Sequence, residues 1–316
     1  MESRIPILPT LLGSGTREDA LRILIKAVEQ SPVSVIITDT KGIIQYVNPK
    51  FTQLMGYTPE EAIGKTPRII KGSFLPREFY KEMWDTLLSG KEWHGVFHNR
   101  TKAGNLVWEV ASISPIRDDQ GTITHFVGVK EDITELKRLQ DQLEHLAQHD
   151  VLTGLPNRFL FNDRLQQVLA QAKRRKGRFA VLFMDLDGFK QVNDTFGHES
   201  GDALLQAVGQ RFGACIRETD TLARMGGDEF TALLTDLADD QGADRVAGAL
   251  IQALAEPIPI KGGSCHVGVS IGLARYPQDG NTMDALLSAA DGAMYDAKRA
   301  GKGGIHHASL RGSAPH

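Results

Sequence analysis

A leucine-patterned stretch, residues 133–148, divides this chain into two regions of different character. Its leucines are spaced three, four and three residues apart, at Leu136, Leu139, Leu143 and Leu146. This spacing is typical of the seam of a short coiled coil, although an amphipathic helix packed on its own domain would show the same pattern. A chain of 316 residues has room for two domains of ordinary size. We therefore predict one domain on each side of a linking helix.

Charge and hydropathy exclude several classes of protein. The 36 Lys and Arg residues against 39 Asp and Glu give a net charge of −3, which provides no basic surface for nucleic acid. The longest clearly apolar run, 179–184, is far shorter than the roughly 20 residues of a membrane span, and the first residues do not resemble a signal peptide. The two cysteines, Cys215 and Cys265, cannot form a metal cluster or a disulfide framework. We expect a cytoplasmic protein with no membrane span and no second catalytic domain.

The first region is rich in strand-forming residues. Val, Ile, Phe and Thr recur in five segments that turn sequences such as Asp118-Asp119-Gln120-Gly121 separate, and helical patterns lie after the second segment. The segments are 33–39, 42–47, 92–101, 107–117 and 123–132. The pattern predicts a small α+β domain of five strands with helices inserted after the second.

The second region alternates helical and strand patterns, which predicts an α/β domain on a mostly antiparallel sheet. Its apolar strand 179–184 ends in Asp185-Leu186-Asp187. A strand that delivers a carboxylate at its end is a common way to hold a metal ion, and we assign that role to Asp185. Asp187 precedes a helical pattern, so we expect it to act partly as a helix cap.

Two more acids follow a tight turn about forty residues later. Gly226-Gly227 suits a hairpin because glycine readily adopts a positive φ, and Asp228 and Glu229 come directly after it. A purely structural hairpin does not need two adjacent acids before an apolar strand. Asp185 with Asp228 or Glu229 therefore predicts an oxygen-ligand site of the kind that Mg²⁺ uses when it also binds phosphates.

The segment Arg224–Phe230 contains GGDEF, the signature of the diguanylate cyclase domain, and about residues 146–308 resemble that family. Further motifs stand in the family's order at Asp150–Arg158, Asp185–Asp194, Gly197-His198, Gly201-Asp202 and Tyr295–Lys298. The resemblance implies an α/β sandwich similar to the polymerase palm. It also implies that two GTP become cyclic di-GMP and pyrophosphate with Mg²⁺ or Mn²⁺, across a homodimer in which each domain holds one GTP.

The resemblance also implies roles for individual residues. Asp185, the Leu186 carbonyl and Asp228 would bind the metal, and Glu229 would bind a second ion or help to activate the 3′-hydroxyl. Asp228 and Glu229 are thus the expected catalytic residues.

Substrate contacts follow from the same resemblance. Asn193 and Asp202 would recognise guanine, while the N–H groups of Phe189 and Lys190 and the side chain of Lys298 would hold phosphates. The chain departs from the family at Lys302, where Arg is usual. Lysine keeps the charge without the bidentate fork of arginine, so we expect weaker phosphate binding rather than loss of activity.

A product-binding site is implied upstream of the turn. Arg217-Glu218-Thr219-Asp220 matches the inhibitory RxxD motif of the family, with five residues between Asp220 and Gly226. There Arg217 and Asp220 would bind cyclic di-GMP. The alternative is an ion pair at the end of a surface helix.

The first domain resembles a PAS sensor, which implies a five-stranded antiparallel sheet with helices. The matching positions in residues 21–134 include Asp39-x-x-Gly42, Asn48-x-x-Phe51, Trp108 and Asp132-Ile133-Thr134, which commonly leads into an output helix. The predicted organisation is thus a mobile segment 1–20, a PAS domain 21–134, a signalling helix 135–149, a cyclase domain 150–308 and a tail 309–316.

The segment from Gly90 to Lys102 is similar to PAS domains that bind flavin in redox regulators. The resemblance implies FAD or FMN as a cofactor, held by Asn48, Trp93, Asn99, Glu109 and Lys130. Three alternatives stay open: ordinary core packing for Trp93, a small metabolite as the ligand, or no ligand with the domain serving only in dimerisation. Residues 64–68 contain no cysteine that could form a photoadduct with a flavin. Residues 77–88 contain no histidine that could serve as the axial ligand of a haem.

Two other functions compete with a sensor-controlled cyclase. One is a non-catalytic receptor for cyclic di-GMP, which would have no use for Asp185, Asp228 and Glu229. The other is a PAS scaffold whose output is partner binding alone.

Overall fold

The computed structural model describes residues 16–72, 75–237, 239, 241–261 and 263–308. It divides into two compact units, one up to Asp141 and one from Gln142. The predicted tail and the first fifteen residues of the predicted mobile segment lie outside the described residues. A helix begins at Arg17, where Thr16 and Asp19 form a capping box.

The first unit is the predicted α+β domain. Its five strands form one antiparallel sheet in the order β2-β1-β5-β4-β3, which confirms the predicted PAS-like sheet. The strands are β1 (Ser34–Asp39), β2 (Ile44–Val47), β3 (Trp93–Arg100), β4 (Leu106–Arg117) and β5 (Ile123–Asp132). The helices are α1 (Arg17–Glu29), α2 (Pro49–Met55), α3 (Pro59–Ala62) and α4 (Arg77–Leu88), with a 3₁₀ turn at Pro67–Ile70.

Helix α5 (Thr134–Gln148) carries the leucine pattern and begins two residues after β5. None of its residues is buried, and its four patterned leucines are between 44% and 66% exposed. An amphipathic helix packed on its own domain would bury that face. In the portion of the chain that the structure describes, no helix is long and apolar enough to cross a membrane.

The second unit is a five-stranded sheet in the order β12-β11-β6-β8-β7. All pairs are antiparallel except β11 with β12, in agreement with the predicted α/β domain. The strands are β6 (Phe179–Asp187), β7 (Thr221–Gly226), β8 (Glu229–Leu234), β11 (Gly268–Tyr276) and β12 (Ile305–His307), and β9 (Ile258–Ile260) and β10 (Gly263–Cys265) form a separate hairpin. The helices are α6 (Arg158–Arg175), α7 (Phe189–Phe196), α8 (His198–Cys215), α9 (Gly242–Ala253) and α10 (Met283–Arg299).

Strand β6 lies in the middle of this sheet and is buried along almost its whole length. Its alternate residues enter two apolar clusters, Leu182 and Met184 on one face and Val181 and Phe183 on the other. Burial on both faces explains its continuous apolar sequence and fixes the position of the carboxylates at its end.

Candidate active site

Strands β6 and β8 bring the predicted carboxylates together. Asp185 lies opposite Glu229 in the register of these strands, and the Leu186 N–H donates to the Asp228 carbonyl at 3.2 Å. The turn between β7 and β8 needs its glycines, because φ is +136° at Gly226 and +55° at Gly227. The hairpin therefore places two acids against the end of the central strand.

The carboxylates at this site interact electrostatically. Burial raises the pKa of the Asp185 carboxyl and the charge of Asp228 adds to the rise, while Lys298 opposes it through an Nζ–Oδ2 contact of 2.6 Å. Burial also raises the pKa of Glu229, assisted by the charge of Asp185 and opposed by that of Arg158. Such a cluster of negative charge is stabilised by a cation.

The donor set fits Mg²⁺ that arrives with a nucleotide. Among the residues that the structure describes, no three His, Cys, Asp or Glu side chains are arranged to hold a metal ion by themselves. Magnesium usually takes only one or two protein carboxylates and completes its shell with water and substrate phosphates. Asp185, Asp228 and the neighbouring main chain of Leu186 offer that kind of partial shell.

The first turn of α7 offers N–H groups next to the carboxylates. Gly188, at φ +88°, is the N-cap and supplies no side chain to cap the helix. The N–H groups of Phe189 and Lys190 have no acceptor within the helix because of their position at its start. Free N–H groups at a helix N-terminus bind phosphate.

Helices α7 and α8 bring the predicted guanine-binding residues together. The Asn193 Oδ1 atom is buried and has no hydrogen-bond partner. A Cβ atom added to Gly201 would lie only 1.9 Å from that oxygen. Glycine at 201 is therefore required for the position of Asn193, and Asp202 follows directly on the exposed side of α8.

The expectation that Asp187 caps a helix is wrong. Its carboxylate accepts hydrogen bonds from Ser270 Oγ at 3.0 Å and from the Gly303 N–H at 2.9 Å. Asp187 therefore anchors the loop that contains Lys302 to the end of β6. Lys302 itself is exposed with φ +67°.

Arg224 is a residue that sequence reasoning missed. Its Nε and Nη2 atoms donate to the Gly227 carbonyl at 3.0 and 2.7 Å, and its Nη1 atom bonds both oxygens of Asp150 at 2.9 and 3.0 Å. Asp150 lies shortly after the end of α5 and also accepts from the Thr153 N–H and hydroxyl. One guanidinium thus joins the segment after α5 to the Gly226-Gly227 turn.

The two residues of the predicted product site differ in their contacts. Asp220 Oδ1 accepts from the Thr235 N–H at 2.8 Å, whereas Arg217 is exposed. Among the residues described, no ion pair joins Arg217 to Asp220, so the alternative of a helix-end ion pair is not seen.

The PAS unit contains a cavity of about 750 Å³. Asn99 and Lys130 line it and are almost completely buried. Behind them Glu109 is fully buried; its Oε2 accepts from Asn99 Nδ2 at 2.6 Å and lies 3.6 Å from Lys130 Nζ, while its Oε1 has no partner. These three residues form a polar group against an otherwise apolar interior.

Of the five residues predicted to hold the flavin, Asn48, Trp93 and Glu109 do not line the cavity. The Asn48 side chain caps α2 through the Phe51 N–H at 3.0 Å and also bonds the main chain of Val35 and Val33, which uses both ends of its amide. Trp93 packs edge to face on Phe79 with ring centroids 5.2 Å apart. Asn48 is therefore a structural cap, and Trp93 has the core position that the alternative described.

Comparison with known proteins assigns both units to families. A family model described as diguanylate cyclase, GGDEF domain, matches residues 147–304, half of the chain, and a PAS domain model matches residues 32–135. The chain is 48% identical over 171 residues to MucR of Pseudomonas aeruginosa, a bifunctional diguanylate cyclase and cyclic di-GMP phosphodiesterase. The aligned region covers 54% of this chain and 25% of MucR.

The chain is also 44% identical over 177 residues to the diguanylate cyclase TpbB of the same organism. The aligned region covers 55% of this chain and 41% of TpbB. A solved structure of the TpbB GGDEF domain aligns with a TM-score of 0.50 at 43% identity, covering 51% of this chain and 95% of that one. The chain thus spans between a quarter and about two fifths of the length of these two curated relatives.

Proposed function

The chain belongs to the GGDEF family of diguanylate cyclases, and from that premise we propose that it condenses two GTP molecules into cyclic di-GMP and pyrophosphate. The observation that carries the proposal is the meeting of Asp185, Asp228 and Glu229 beside the uncapped start of α7. A site for nucleotide phosphates and their metal ion needs both features. The PAS unit regulates this reaction.

Residues of this site account for each step of the proposed reaction. Asp185, Asp228 and the Leu186 carbonyl hold Mg²⁺, which when bound neutralises phosphate charge and activates the attacking 3′-oxygen. Glu229 lies across the strand pair from Asp185 and faces the attacking hydroxyl or a second ion. No covalent nucleophile is required.

Substrate recognition uses the two helices that follow β6. The Asn193 amide and the Asp202 carboxylate contact the guanine edge, where their donors and acceptors reject adenine. The N–H groups of Phe189 and Lys190 hold the terminal phosphates. Lys298 neutralises Asp185 in the absence of nucleotide and turns to the phosphates when the metal binds.

Catalysis requires two copies of the chain because each domain holds one GTP. The exposed leucines of α5 form the dimer seam, and a change at the PAS unit alters the pairing of these helices. Leu143→Asp should give a folded monomer that binds GTP but makes no cyclic di-GMP, as measured by sedimentation and nucleotide chromatography. An active monomer would contradict the requirement for a dimer.

Product binds at Arg217 and Asp220 and slows further synthesis. The free guanidinium of Arg217 is available for a phosphate or a guanine of the product. Arg217→Ala should raise the concentration of cyclic di-GMP that halves the rate while leaving the initial rate unchanged. Unaltered inhibition in the variant would argue against this site.

The PAS cavity binds a flavin, FAD or FMN, that senses redox state. Asn99 and Lys130 offer the ring their polar atoms, and Glu109 fixes the Asn99 amide so that its oxygen is left for the ligand. An absorption spectrum of the purified protein tests this ligand, because bound flavin gives bands in the blue and near ultraviolet. A colourless protein that takes up no added flavin would remove it.

The principal test is the incubation of the protein with GTP and Mg²⁺. We expect cyclic di-GMP from the wild type, none from Asp228→Ala, and normal yield from Asp163→Ala, which removes an exposed carboxylate of α6. Circular dichroism should show all three folded. No product from a folded, dimeric wild type would refute the cyclase, and product binding without turnover would favour a receptor for cyclic di-GMP.

A further inference from the structure

The end of α5 carries two histidines that lie one helical turn apart. His145 belongs to the last turn of the helix, and His149 follows four residues later. The His149 N–H donates to the His145 carbonyl at 2.9 Å, so the helical hydrogen bonding continues as far as His149. Residues four apart on a helix are neighbours on one face. The two rings accordingly stack, with centroids 4.1 Å apart and planes inclined by 18°.

A hydrogen bond fixes which nitrogen of His149 carries the proton. The Nδ1 atom lies 3.2 Å from the carbonyl oxygen of His145, and because that oxygen can only accept, Nδ1 must donate. The neutral ring then has its lone pair on Nε2. A main-chain carbonyl that accepts from one ring nitrogen is the usual partner of a histidine that binds a metal ion through the other.

No other group of the protein competes for these nitrogens. Among the described residues, the ring nitrogens of His145 form no hydrogen bond or ion pair, and the side chain is exposed. Asp150 follows His149 directly, but its carboxylate is already bonded to Arg224 and Thr153. Two neighbouring imidazoles at the surface thus have nitrogen lone pairs to offer to a ligand.

We propose that His145 and His149 together bind one transition-metal ion of the class of Zn²⁺, Ni²⁺ and Cu²⁺. Imidazole is a preferred ligand of these ions, whereas Mg²⁺ prefers oxygen. Two histidines four residues apart on one helix face are also the spacing with which helices hold zinc. In the part of the chain that the structure describes, no third His, Cys, Asp or Glu side chain joins the pair, so water completes the coordination shell.

A bound ion would reinforce contacts that already hold the end of α5. The Asn157 side chain donates to the Ala147 carbonyl at 2.8 Å, and the Asn157 N–H donates to the Gln148 carbonyl at 2.9 Å. The ion would add a link between His145 and His149 across the hydrogen bond that joins their main chains. Neither histidine belongs to the carboxylate site or to the PAS cavity, so this inference does not depend on the proposed function.

Titration calorimetry on the full-length protein, without an affinity tag and stripped with a chelator, tests the site. The buffer contains Mg²⁺ so that the carboxylate site is occupied. We expect one Zn²⁺ or one Cu²⁺ per chain, with Cu²⁺ bound more tightly. The electron paramagnetic resonance spectrum of the Cu²⁺ complex should show two nitrogen ligands. His145→Ala and His149→Ala should each leave one nitrogen and weaken Zn²⁺ by at least about tenfold, the smallest usual cost of losing even an outer partner of a metal ligand.

A matched control keeps the number of histidines and changes only their spacing. Ala147→His in the His149→Ala background places the second histidine two residues from His145, about 200° around the helix axis. These rings cannot share an ion, so the double variant should bind Zn²⁺ as weakly as His149→Ala. Ala147 is exposed and accepts the change, and circular dichroism should show every variant folded. His266→Ala removes an exposed histidine elsewhere and should bind like the wild type.

Hydrogen exchange gives a second readout at the same turn. Zn²⁺ should slow the exchange of the His149 amide in the wild type and leave it unchanged in His145→Ala, because only the chelated turn is closed by the ion. No binding of Zn²⁺ or Cu²⁺ to the wild type would overturn the inference, and so would unchanged affinity in the spacing variant. Synthesis of cyclic di-GMP is measured separately and decides neither outcome.

Discussion

A single methyl group at position 201 should weaken GTP binding while leaving the fold intact. In Gly201→Ala the new Cβ would lie 1.9 Å from Asn193 Oδ1 and 2.9 Å from Asn193 Cγ. Ordinary van der Waals contact begins at 3.4 Å, so the amide has to move by about 1.5 Å. The main chain at 201 is helical and accepts alanine without strain, so the side chain of Asn193 takes up the whole displacement.

The expected decrease in GTP affinity follows from the hydrogen bond that Asn193 loses. A displacement of this size would break the hydrogen bond to guanine that we propose for Asn193, and such a bond contributes about 0.5 to 1.5 kcal/mol. The affinity for GTP should therefore fall by about two- to twelvefold. Because alanine is a better helix former than glycine by about 1 kcal/mol, the variant should not lose stability by a comparable amount.

Gly213→Ala is the matched control, because Gly213 lies in the same helix and a Cβ there meets nothing within 4 Å. Titration calorimetry with a non-hydrolysable GTP analogue and Mg²⁺ measures the affinity, and thermal unfolding measures the stability. The control should gain stability and bind the analogue like the wild type. Wild-type affinity in Gly201→Ala would refute the assignment of Asn193 to guanine.

Three further results are expected. Burial raises the pKa of Asp150, but hydrogen bonds from Thr153 and Arg224 outweigh it and hold that pKa below the ordinary 3.8. The ionised Asp150 carboxylate therefore stabilises the folded state above pH 3.8, and this stabilisation is lost as the pH falls below that value. Asp150→Asn should cost about 1 to 3 kcal/mol at pH 7 and much less at pH 3, as measured by urea unfolding at both values; an equal loss at both would contradict the ion pair. Burial raises the pKa values of Asp185 and Glu229, so both protonate at a higher pH than free carboxyls. The Mg²⁺ concentration for half-maximal activity should therefore rise as the pH is lowered, and the rise should begin above the ordinary values of 3.8 and 4.5; a concentration that stays constant down to those values would argue against both residues as ligands. Lys302→Arg should restore a bidentate phosphate contact and lower the KM for GTP by about two- to tenfold, whereas an unchanged KM would place residue 302 away from the phosphates.

The strands, helices and acidic cluster could be predicted because their signals are local. The apolar run of β6, the Gly226-Gly227 turn and the alternating strands of the first unit each reside in a few adjacent residues. Asn48 shows where a local signal was overlooked. An Asn followed by a Pro is typical of a helix N-cap, and this is the role that the structure gives it.

Contacts between residues far apart in the chain could not be predicted. Asp150 and Arg224 are 74 positions apart, and Asp187 and Gly303 are 116 apart. No spacing or periodicity joins such pairs, because the sheet and its helices bring them together only after folding. The lysines and arginines that line the PAS cavity are likewise scattered along the chain, from Lys41 to Lys130, and only the folded unit shows that they line one cavity.

The contacts of Arg224 show that the shape of the Gly226-Gly227 turn does not depend on the two acids that follow it. The Arg224 guanidinium donates hydrogen bonds to the Gly227 carbonyl and forms an ion pair with Asp150. The side chains of Asp228 and Glu229 take no part in these contacts. Substitution of the two acids would therefore leave a hairpin of the same form and a domain with its nucleotide-binding surface intact. In the evolution of such a gene, mutation of these two acids would abolish the synthesis of cyclic di-GMP but leave a folded domain. Selection could then retain that domain for ligand binding alone.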